Sequence, residues 1–363
     1  MAEERLEALR GWFESTRPAF EALAKTAGNT IEGLIRHAGI DYLSVTSRAK
    51  SVVSFIDKAQ KKQYKKPEEQ ITDLAGVRVI TFIESDVARV GELVESSFHP
   101  HPALSLDKTD ELGIDRFGYR SVHFVCDLGA ERCNLPEFSM YKNLVFEVQV
   151  RTVLQHAWAE IEHDRNYKFA GILPTPIQRR LYLLAGVLEI VDREFVTLAG
   201  EIDKYVVEVS EKTRAGDLDI EINTPSLFQY LPQKLDYFKE RLIPIDSPGD
   251  LEPVIDELRG FGIQTLADLE PILNDQFFSA LDVNHESQPL FYIGALRDAM
   301  MYSDLDKYFS DAWSNSWQGT EEATVSLLSG KYGRRKVRAT FGRNEIDILD
   351  DAFLEEDDDD QTT

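Results

Sequence analysis

In the first part of this chain, segments with apolar residues at helical spacing alternate with segments of strand-like apolar pattern. Apolar residues follow a helical period in residues 3–37, where Pro18 predicts two helices in place of one. Further helices are predicted for residues 47–65, for 85–97 with Ser85 as N-cap, for 152–169 and for 176–213. Apolar runs bounded by turn residues predict strands at 77–83, 119–128 and 144–151. The spacing by itself establishes an alternation of strands and helices.

The chain changes character after Ala215, where Gly216 and Pro225 mark a linker. Residues 226–330 then read as short helices separated by Pro, Gly and Asp. We predict five segments: N-terminal helices (1–45), an α/β core (46–170), a long helix that packs on the core or extends from it (171–215), a C-terminal regulatory unit (216–344) and a disordered acidic tail (345–363).

Two of the strand regions carry an acidic residue among apolar neighbours. Strand side chains alternate, so Glu147, Gln149 and Arg151 share one face while Phe146 and its apolar partners fill the other. Asp73 lies at the start of the strand region at 77–83. Either carboxylate alone is equally compatible with a turn, a cap or a solvated strand edge. Two carboxylates on neighbouring strands, with cations nearby, suit a magnesium–nucleotide site.

The charge of the chain is strongly acidic overall and locally basic. A formal net charge of −24 argues against a general nucleic-acid-binding surface. The segment Arg48–Lys66, however, contains seven basic residues and only one acidic residue, Asp57. Such a run is compatible with a solvated helix face. It is equally compatible with binding of a triphosphate.

Several classes of protein and of site are disfavoured by the sequence. No apolar run approaches the length of a membrane span and the acidic N-terminus lacks a signal peptide, so we expect a cytoplasmic protein without membrane contact. Cys126 and Cys133 fit no zinc or disulfide pattern. The stretch His99-Pro100-His101-Pro102 is predicted to be a loop break rather than a metal site.

The predicted helix at 152–169 carries His156, Glu160 and His163 on one face, at i, i+4 and i+7. This spacing suits metal ligands. It suits equally well side chains that support a neighbouring sheet by hydrogen bonds.

The region from Ser47 to Lys168 resembles the synthetase domain of the RelA/SpoT family, which makes the alarmones ppGpp and pppGpp. Five segments match in order: Ser47-Arg48-Ala49-Lys50-Ser51, Asp73-Leu74-Ala75-Gly76-Val77-Arg78, Gly118-Tyr119-Arg120-Ser121-Val122-His123, Glu147-Val148-Gln149-Val150-Arg151-Thr152 and Trp158-Ala159-Glu160-Ile161-Glu162-His163. The last segment resembles that of the small, single-function members. No His–Asp pair ahead of this region resembles the family's hydrolase domain, so the chain looks limited to synthesis.

The resemblance implies a fold, a reaction and a cofactor. The fold is α/β (α+β), a nucleotidyltransferase-like mixed sheet flanked by helices, followed here by a mainly helical C-terminal region. The reaction is transfer of the β,γ-pyrophosphate of ATP to the 3′-hydroxyl of GDP or GTP, with release of AMP. Mg²⁺ is the implied cofactor, bound by Asp73 and Glu147. Glu147 would also help to deprotonate the 3′-hydroxyl.

The resemblance also assigns the substrate contacts and the supporting residues. The implied donor contacts are Arg48, Lys50, Ser51, Lys58, Lys61 and Arg78. The implied acceptor contacts are Arg116, Gly118, Tyr119, Arg120, His123, Gln149 and Arg151, with Tyr119 stacking on the guanine. His156 and His163 are expected to support the catalytic sheet, and the resemblance favours this role over a zinc site.

One departure from the family leaves the acceptor open. The segment before Arg116 is acidic, and Lys108 is its only cation, where relatives often carry basic residues for the acceptor's 5′-phosphates. Acceptors with fewer charges, such as GMP, therefore become plausible. Toxin-type relatives that make adenosine alarmones or pyrophosphorylate the tRNA 3′ end stay open as alternatives. Residues 331–343 are basic enough to offer a local RNA contact.

A third alternative is a sensor whose synthetase is held inactive until a partner binds the C-terminal unit, because we expect catalysis not to require residues 216–363. The acidic end of the chain suggests a related form of regulation. Residues 345–363 would occlude the donor site by resting on the basic segment Arg48–Lys66. Alternatively, they would rest on the basic residues 331–343 and leave that site free, or make no contacts and keep the protein in solution.

Overall fold

The computed structural model describes residues 3–104, 106–107, 121–168, 174–245, 248–285 and 288–349, and for residues 106–107, 162–168 and 248 the backbone alone. The chain divides into two units, Met1–Gly200 and Glu201–Thr363. No helix among the described residues is long and apolar enough to cross a membrane.

The first unit contains a mixed sheet and the helices that flank it. Its strands are β1 (Tyr42–Ala49), β2 (Ala75–Thr81), β3 (His99–Pro100), β4 (Leu106–Asp107), β5 (Val122–Asp127) and β6 (Phe146–Thr152). Its helices are α1 (Glu3–His37), α2 (Val52–Lys62), α3 (Pro67–Gln70), α4 (Glu84–Ser97), α5 (Ala130–Cys133), α6 (Val153–Lys168) and the start of α7 (Thr175–Ala215), with a 3₁₀ turn at Ser139–Tyr141.

The strand order is β1-β2-β6-β5-β3. β4 also pairs directly with β5, at Val122 and His123, whereas β3 pairs with Cys126 and Asp127. β2 and β6 run parallel, whereas β1–β2, β6–β5, β5–β3 and β5–β4 are antiparallel. Helix α4 lies between β2 and β3 in the chain, and α1 precedes the whole sheet. The α/β (α+β) mixed sheet flanked by helices that the resemblance implied is therefore confirmed.

One face of the sheet is apolar and forms the core of this unit. Val77, Val79, Phe146, Val148 and Val150 are at most 1% exposed and pack with the apolar stripes of α1 and α4. This packing uses every second residue of β2 and β6, so the residues between them are left on the opposite face. Packing against the core therefore determines which face of the sheet carries polar side chains.

Three local predictions in this unit are wrong. Helix α1 continues through Pro18 as one helix, because its stripe from Leu9 to Ile35 is buried in a single core. Residues 47–49 end strand β1 rather than begin a helix, since β1 pairs along its length with β2. At α4 the N-cap position is Ile83, without a side-chain cap, and Ser85 lies inside the helix.

The predicted loop at 99–102 is also corrected in part. His99 and Pro100 form the short edge strand β3, opposite Asp127 and Cys126 of β5. Pro lacks an N–H, which an edge strand tolerates because its outer side pairs with no neighbour. The His101 N–H donates to the Val125 carbonyl at 2.8 Å, so the pairing continues one residue past β3.

The second unit is mainly helical, as the sequence predicts for this region. Its helices after α7 are α8 (Thr224–Lys234), α9 (Glu252–Gly260), α10 (Leu266–Leu269), α11 (Asp275–Asn284), α12 (Tyr292–Ser303), α13 (Leu305–Lys307), α14 (Glu322–Tyr332) and α15 (Arg334–Arg343). Short 3₁₀ turns at Asp236–Phe238 and Pro248–Leu251 and a π-helical turn at Tyr308–Ala312 connect them, and β7 (Gly319–Glu321) pairs in parallel with β8 (Asp347–Leu349).

The core of the second unit contains a buried charged network. Glu257 is 1% exposed, and Arg297 donates two N–H groups to its carboxylate at 2.7 and 3.1 Å. Tyr308 and Ser316 donate their hydroxyls to the same carboxylate, both at 2.6 Å. A buried carboxylate is tolerated when its oxygens are satisfied in this way. The network therefore ties α9 and α12 to the π-helical turn.

We expect Phe146→Ala to lower the free energy of unfolding of the first unit by about 3–5 kcal/mol, because loss of a buried aromatic ring leaves a cavity. Phe146 is 0% exposed, and its ring meets Phe98 edge-on at 5.2 Å. Urea denaturation followed by circular dichroism measures the change. Phe82→Ala is the control, because Phe82 is 49% exposed and its loss should cost less than about 1 kcal/mol. Equal losses in both variants would contradict the assignment of Phe146 to the core.

Candidate active site

Polar side chains cross the sheet in two rows on the face opposite the core. In the first row, Gly76 of β2 pairs with Arg48 of β1 on one side and with Glu147 of β6 on the other. Because Gly76 has no side chain, the space between Arg48 and Glu147 stays open. In the second row, Arg78 lies between Thr46 and Gln149.

The two rows line a cavity of about 150 Å³. Its walls are Thr46, Ser47, Arg48, Asp73, Gly76, Val77, Arg78, Glu147 and Gln149. The structure thus brings both predicted carboxylates and two of the predicted cations into one cavity.

Asp73 precedes β2 and is held between two lysines. Its Oδ2 forms an ion pair with Nζ of Lys50, and its Oδ1 lies 3.1 Å from Nζ of Lys58. Burial raises the pKa of the Asp73 carboxyl, but the hydrogen bonds and charges of Lys50 and Lys58 outweigh it and hold this pKa below its usual value. Asp73 is therefore ionised at neutral pH, and its charge holds both ammonium groups against a carboxylate that lines the cavity.

Local structure explains how the two lysines reach Asp73. The Lys50 N–H donates to the Leu74 carbonyl at 2.9 Å, which extends the β1–β2 pairing one residue past the end of β1. Ser51 is the N-cap of α2, and its hydroxyl accepts the Ser54 N–H at 3.1 Å. This cap starts α2 immediately after Lys50, and Lys58 follows two turns along the helix. The structure thus assigns Ser51 a capping contact.

Glu147 is 9% exposed and takes part in a chain of hydrogen bonds. Its Oε1 lies 2.7 Å from Nδ1 of His123 and accepts an N–H of Gln149 at 2.8 Å. The other ring nitrogen of His123 lies 2.7 Å from the Ser121 hydroxyl. Burial raises the pKa of Glu147, but its contacts with His123 and Gln149 bring that pKa below its usual value, against a small opposing effect of the Asp73 charge.

Two arginines complete the polar face. Arg151 donates to Oε1 of Gln149 at 3.2 Å. Burial, together with the charge of Arg78, lowers the pKa of the Arg151 guanidinium. Arg78 is paired with Glu160 of α6 at 3.1 Å. Helix α6 thus lies beside β2 at this contact, and it holds the Arg78 side chain at the cavity.

Of the two histidines predicted to support the sheet, the structure describes the side chain of His156 only. Nδ1 of His156 lies 3.7 Å from Oε1 of Glu160, next to the Arg78 contact. Burial and the charge of Arg78 lower the pKa of His156, which favours the neutral imidazole. The side chain of His163 lies outside the described residues. Support of the sheet by these two residues stays a prediction.

Other predicted contacts lie outside the cavity or outside the described residues. Lys61 is exposed near the C-terminal end of α2 and does not line the cavity. The acceptor residues Arg116, Gly118, Tyr119 and Arg120 lie outside the described residues. Their roles at the acceptor side stay predictions from the resemblance.

Three residues of this site carried no predicted catalytic or substrate-binding role, although Glu160 was predicted to share one helix face with His156 and His163. Thr46 lines the cavity, Ser121 holds the far nitrogen of His123, and Glu160 pairs with Arg78. A signal for the first two was present, because Thr46 lies two residues before Arg48 and Ser121 two before His123. Nothing in the sequence links Glu160 to Arg78, which precedes it by 82 residues.

The region that contains this cavity is similar to known proteins. Residues 47–171 match the family model described as the region found in RelA / SpoT proteins. The chain is 30% identical over 183 residues to the GTP pyrophosphokinase YjbM of Bacillus subtilis (strain 168), a match that covers 50% of this chain and 82% of that protein. The chain belongs to the RelA/SpoT family. All residues that line the cavity, apart from Thr46, lie within the RelA/SpoT region.

Two further proteins are similar to part of this chain. The GTP pyrophosphokinase YwaC of Bacillus subtilis (strain 168) is 28% identical over 163 residues, which are 43% of this chain and 73% of that protein. Among solved structures, the small alarmone synthetase 1 from Bacillus subtilis is similar, with 26% identity and a TM-score of 0.45. That match covers 53% of this chain and 98% of the other.

The pKa of Glu147 predicts how its contribution to stability depends on pH. Because this pKa is lowered in the folded protein, the carboxylate stabilises the fold above its ordinary pKa near 4.5, and this stabilisation is lost as the pH falls through the folded value. Glu147→Gln removes the carboxylate. We therefore expect the difference in unfolding free energy between wild type and Glu147→Gln to be largest near pH 7 and to shrink below pH 4.5.

Urea denaturation at a series of pH values measures this difference. Glu92→Gln is the control, because Glu92 is an exposed glutamate on α4. It should follow the wild-type profile. A Glu147→Gln profile parallel to that of wild type across the whole pH range would contradict the buried, hydrogen-bonded carboxylate.

Proposed function

We propose that this protein is a pyrophosphokinase, which transfers the β,γ-pyrophosphate of ATP to the 3′-hydroxyl of a guanosine nucleotide and releases AMP. The product is an alarmone of the (p)ppGpp type. The observation that carries the proposal is the placement of Asp73, Glu147 and Arg48 around one cavity, with Lys50 and Lys58 held at Asp73. RelA/SpoT membership and two relatives named GTP pyrophosphokinase support it.

The donor end of the cavity is the basic one. ATP carries about four negative charges, which cations must neutralise before a hydroxyl can approach the phosphorus. Lys50, Lys58 and Arg48 supply positive charge at this end, and Arg78 of β2 lies in the row next to that of Arg48. We assign these four side chains to the donor phosphates. The Asp73 carboxylate keeps the two lysines in place until the phosphates replace it as their partner.

The carboxylates of the cavity fit a magnesium ion. Asp73 and Glu147 offer hard oxygen donors, which Mg²⁺ prefers. Both line the same cavity, and for this reason we assign them to one shared cation. In this role Mg²⁺ would neutralise donor charge and orient the phosphates.

The acceptor hydroxyl needs a base, and we assign this role to Glu147, whose side chain lines the cavity. The 3′-oxygen forms a bond to the β-phosphorus, the bond between that phosphorus and the oxygen on the α-phosphorus breaks, and AMP leaves with the electron pair. His123 and Gln149 orient the carboxylate through Oε1. Ser121 fixes the far side of the imidazole. This chain of hydrogen bonds holds the base still at the moment of transfer.

We expect Asp73→Asn and Glu147→Gln each to reduce the rate of pyrophosphate transfer by about a thousandfold or more, because each removes a charge that stabilises the transition state. The assay follows labelled ATP with GDP as acceptor. Asp57→Asn and Glu92→Gln are matched controls, since both residues are exposed and do not line the cavity. Near-wild-type synthesis by either site variant would contradict the assignment of the site.

The acceptor is tested by incubating the full chain with labelled ATP and GDP, GTP, GMP, ADP or tRNA in turn. We expect labelled product with a guanosine nucleotide, because both relatives are named GTP pyrophosphokinase. Product with GMP above that with GDP would follow from the acidic acceptor segment. Transfer only to ADP or only to tRNA would overturn the proposed acceptor while leaving the donor site intact.

A further inference from the structure

Three side chains with metal-binding chemistry meet at the edge of the sheet, at residues that do not line the cavity. Nδ1 of His99 lies 3.1 Å from Oδ2 of Asp127, and Nε2 of His101 lies 2.8 Å from the same oxygen. The ligand atoms of all three residues lie within 4.8 Å of one another. We propose that His99, His101 and Asp127 bind one divalent transition-metal ion, for which Zn²⁺ is the best match.

The backbone places these ligands before any ion arrives. His99 of β3 lies directly opposite Asp127 of β5. His101 is two residues farther along the extended chain, so its side chain returns to the same face. The hydrogen bond from its N–H to the Val125 carbonyl holds it against β5. Pro100 restricts the chain between the two histidines, which reduces the conformational entropy lost on binding.

The distances need little change to admit an ion. Zn²⁺ bonds nitrogen and oxygen ligands at about 2.0–2.2 Å, so ligand atoms in a tetrahedron stand about 3.4 Å apart. The separations of 3.1 and 2.8 Å to Oδ2 are a few tenths of an ångström shorter. The imidazole nitrogens of His99 and His101 lie no more than 4.8 Å apart, and rotation of the two rings would set them at the tetrahedral spacing. His99 is exposed, and His101 and Asp127 are half-buried, so water can supply the remaining ligand.

The carboxylate is oriented by a second contact. Oδ1 of Asp127 accepts the Gly129 N–H at 2.7 Å, which leaves Oδ2 for the histidines. Carboxylates that bind metals are commonly fixed by such an outer hydrogen bond.

The ligand types separate this site from the cavity. Two imidazoles and one carboxylate suit zinc and related transition metals, whereas Mg²⁺ prefers oxygen ligands alone. An ion here would tie β3 to the end of β5. His123, the partner of Glu147, lies four residues earlier on the same strand, about 13 Å away at the usual rise. The ion would therefore stabilise the strand that carries His123 without contact with the proposed substrates.

Zinc titration of the untagged full chain in excess Mg²⁺, without nucleotide, tests the proposal. We expect one Zn²⁺ per chain by calorimetry, a rise in melting temperature with Zn²⁺, and an absorption spectrum of a low-symmetry site when Co²⁺ replaces Zn²⁺. Loss of a residue that hydrogen-bonds to a metal ligand typically weakens metal binding roughly 10- to 100-fold. His101→Ala and Asp127→Asn remove direct ligands, so each should weaken Zn²⁺ binding by at least this factor.

His37→Ala is the matched control, because His37 is an exposed histidine at the end of α1. It should bind Zn²⁺ as wild type does. The melting temperature of each variant without metal shows whether it is folded. Equal Zn²⁺ affinity in wild type and His101→Ala, or no shift in wild-type melting temperature with Zn²⁺, would overturn the proposal and leave the three residues as a hydrogen-bonded cluster.

Discussion

The parallel pairing of β2 and β6 is the constraint on which the rest of this structure depends. It sets Gly76 directly opposite Glu147, although 71 residues separate them along the chain. The buried faces of the two strands fix this register, because a slip by one residue would turn their valines to the polar side. Once the register is set, Asp73 at the start of β2 and Glu147 on β6 must share one end of the sheet. The proposed chemistry follows from that position.

The charges of the cavity are compensated in two separate groups. Asp73 neutralises Lys50 and Lys58, while Glu147 interacts with His123 and Gln149. Each carboxylate is partly buried, and such groups are costly to keep ionised unless partners surround them. In the proposed reaction, the donor phosphates would pair with Lys50 and Lys58, and Asp73 and Glu147 would hold the metal ion. The site thus exchanges one set of opposite charges for another, which limits the desolvation cost of binding ATP.

Much of the site could be predicted from sequence because it depends on period-two alternation within single strands. The polar front of Glu147, Gln149 and Arg151 is visible in that way, and the five matching segments place Asp73 beside it. Strand β1 was missed for a physical reason. Tyr42–Ala49 buries few side chains and is defined by its pairing with β2, which a local pattern does not report. The pairing of Asp127 with His99 and His101, across 28 and 26 residues, likewise leaves no local signal.

The basic residues of the two units differ in what surrounds them, and this bears on the choice between nucleotide and RNA. In the segment 331–343, Arg334 and Arg338 both pair with Glu322, and Lys336 pairs with Asp306. These cations neutralise acids of the second unit itself, so an RNA backbone would have to compete with existing partners. Arg48, by contrast, is exposed and faces a cavity of about 150 Å³, a volume suited to a phosphate group rather than to a polymer. In a chain of net charge −24, that contrast favours a small anionic substrate over a nucleic acid.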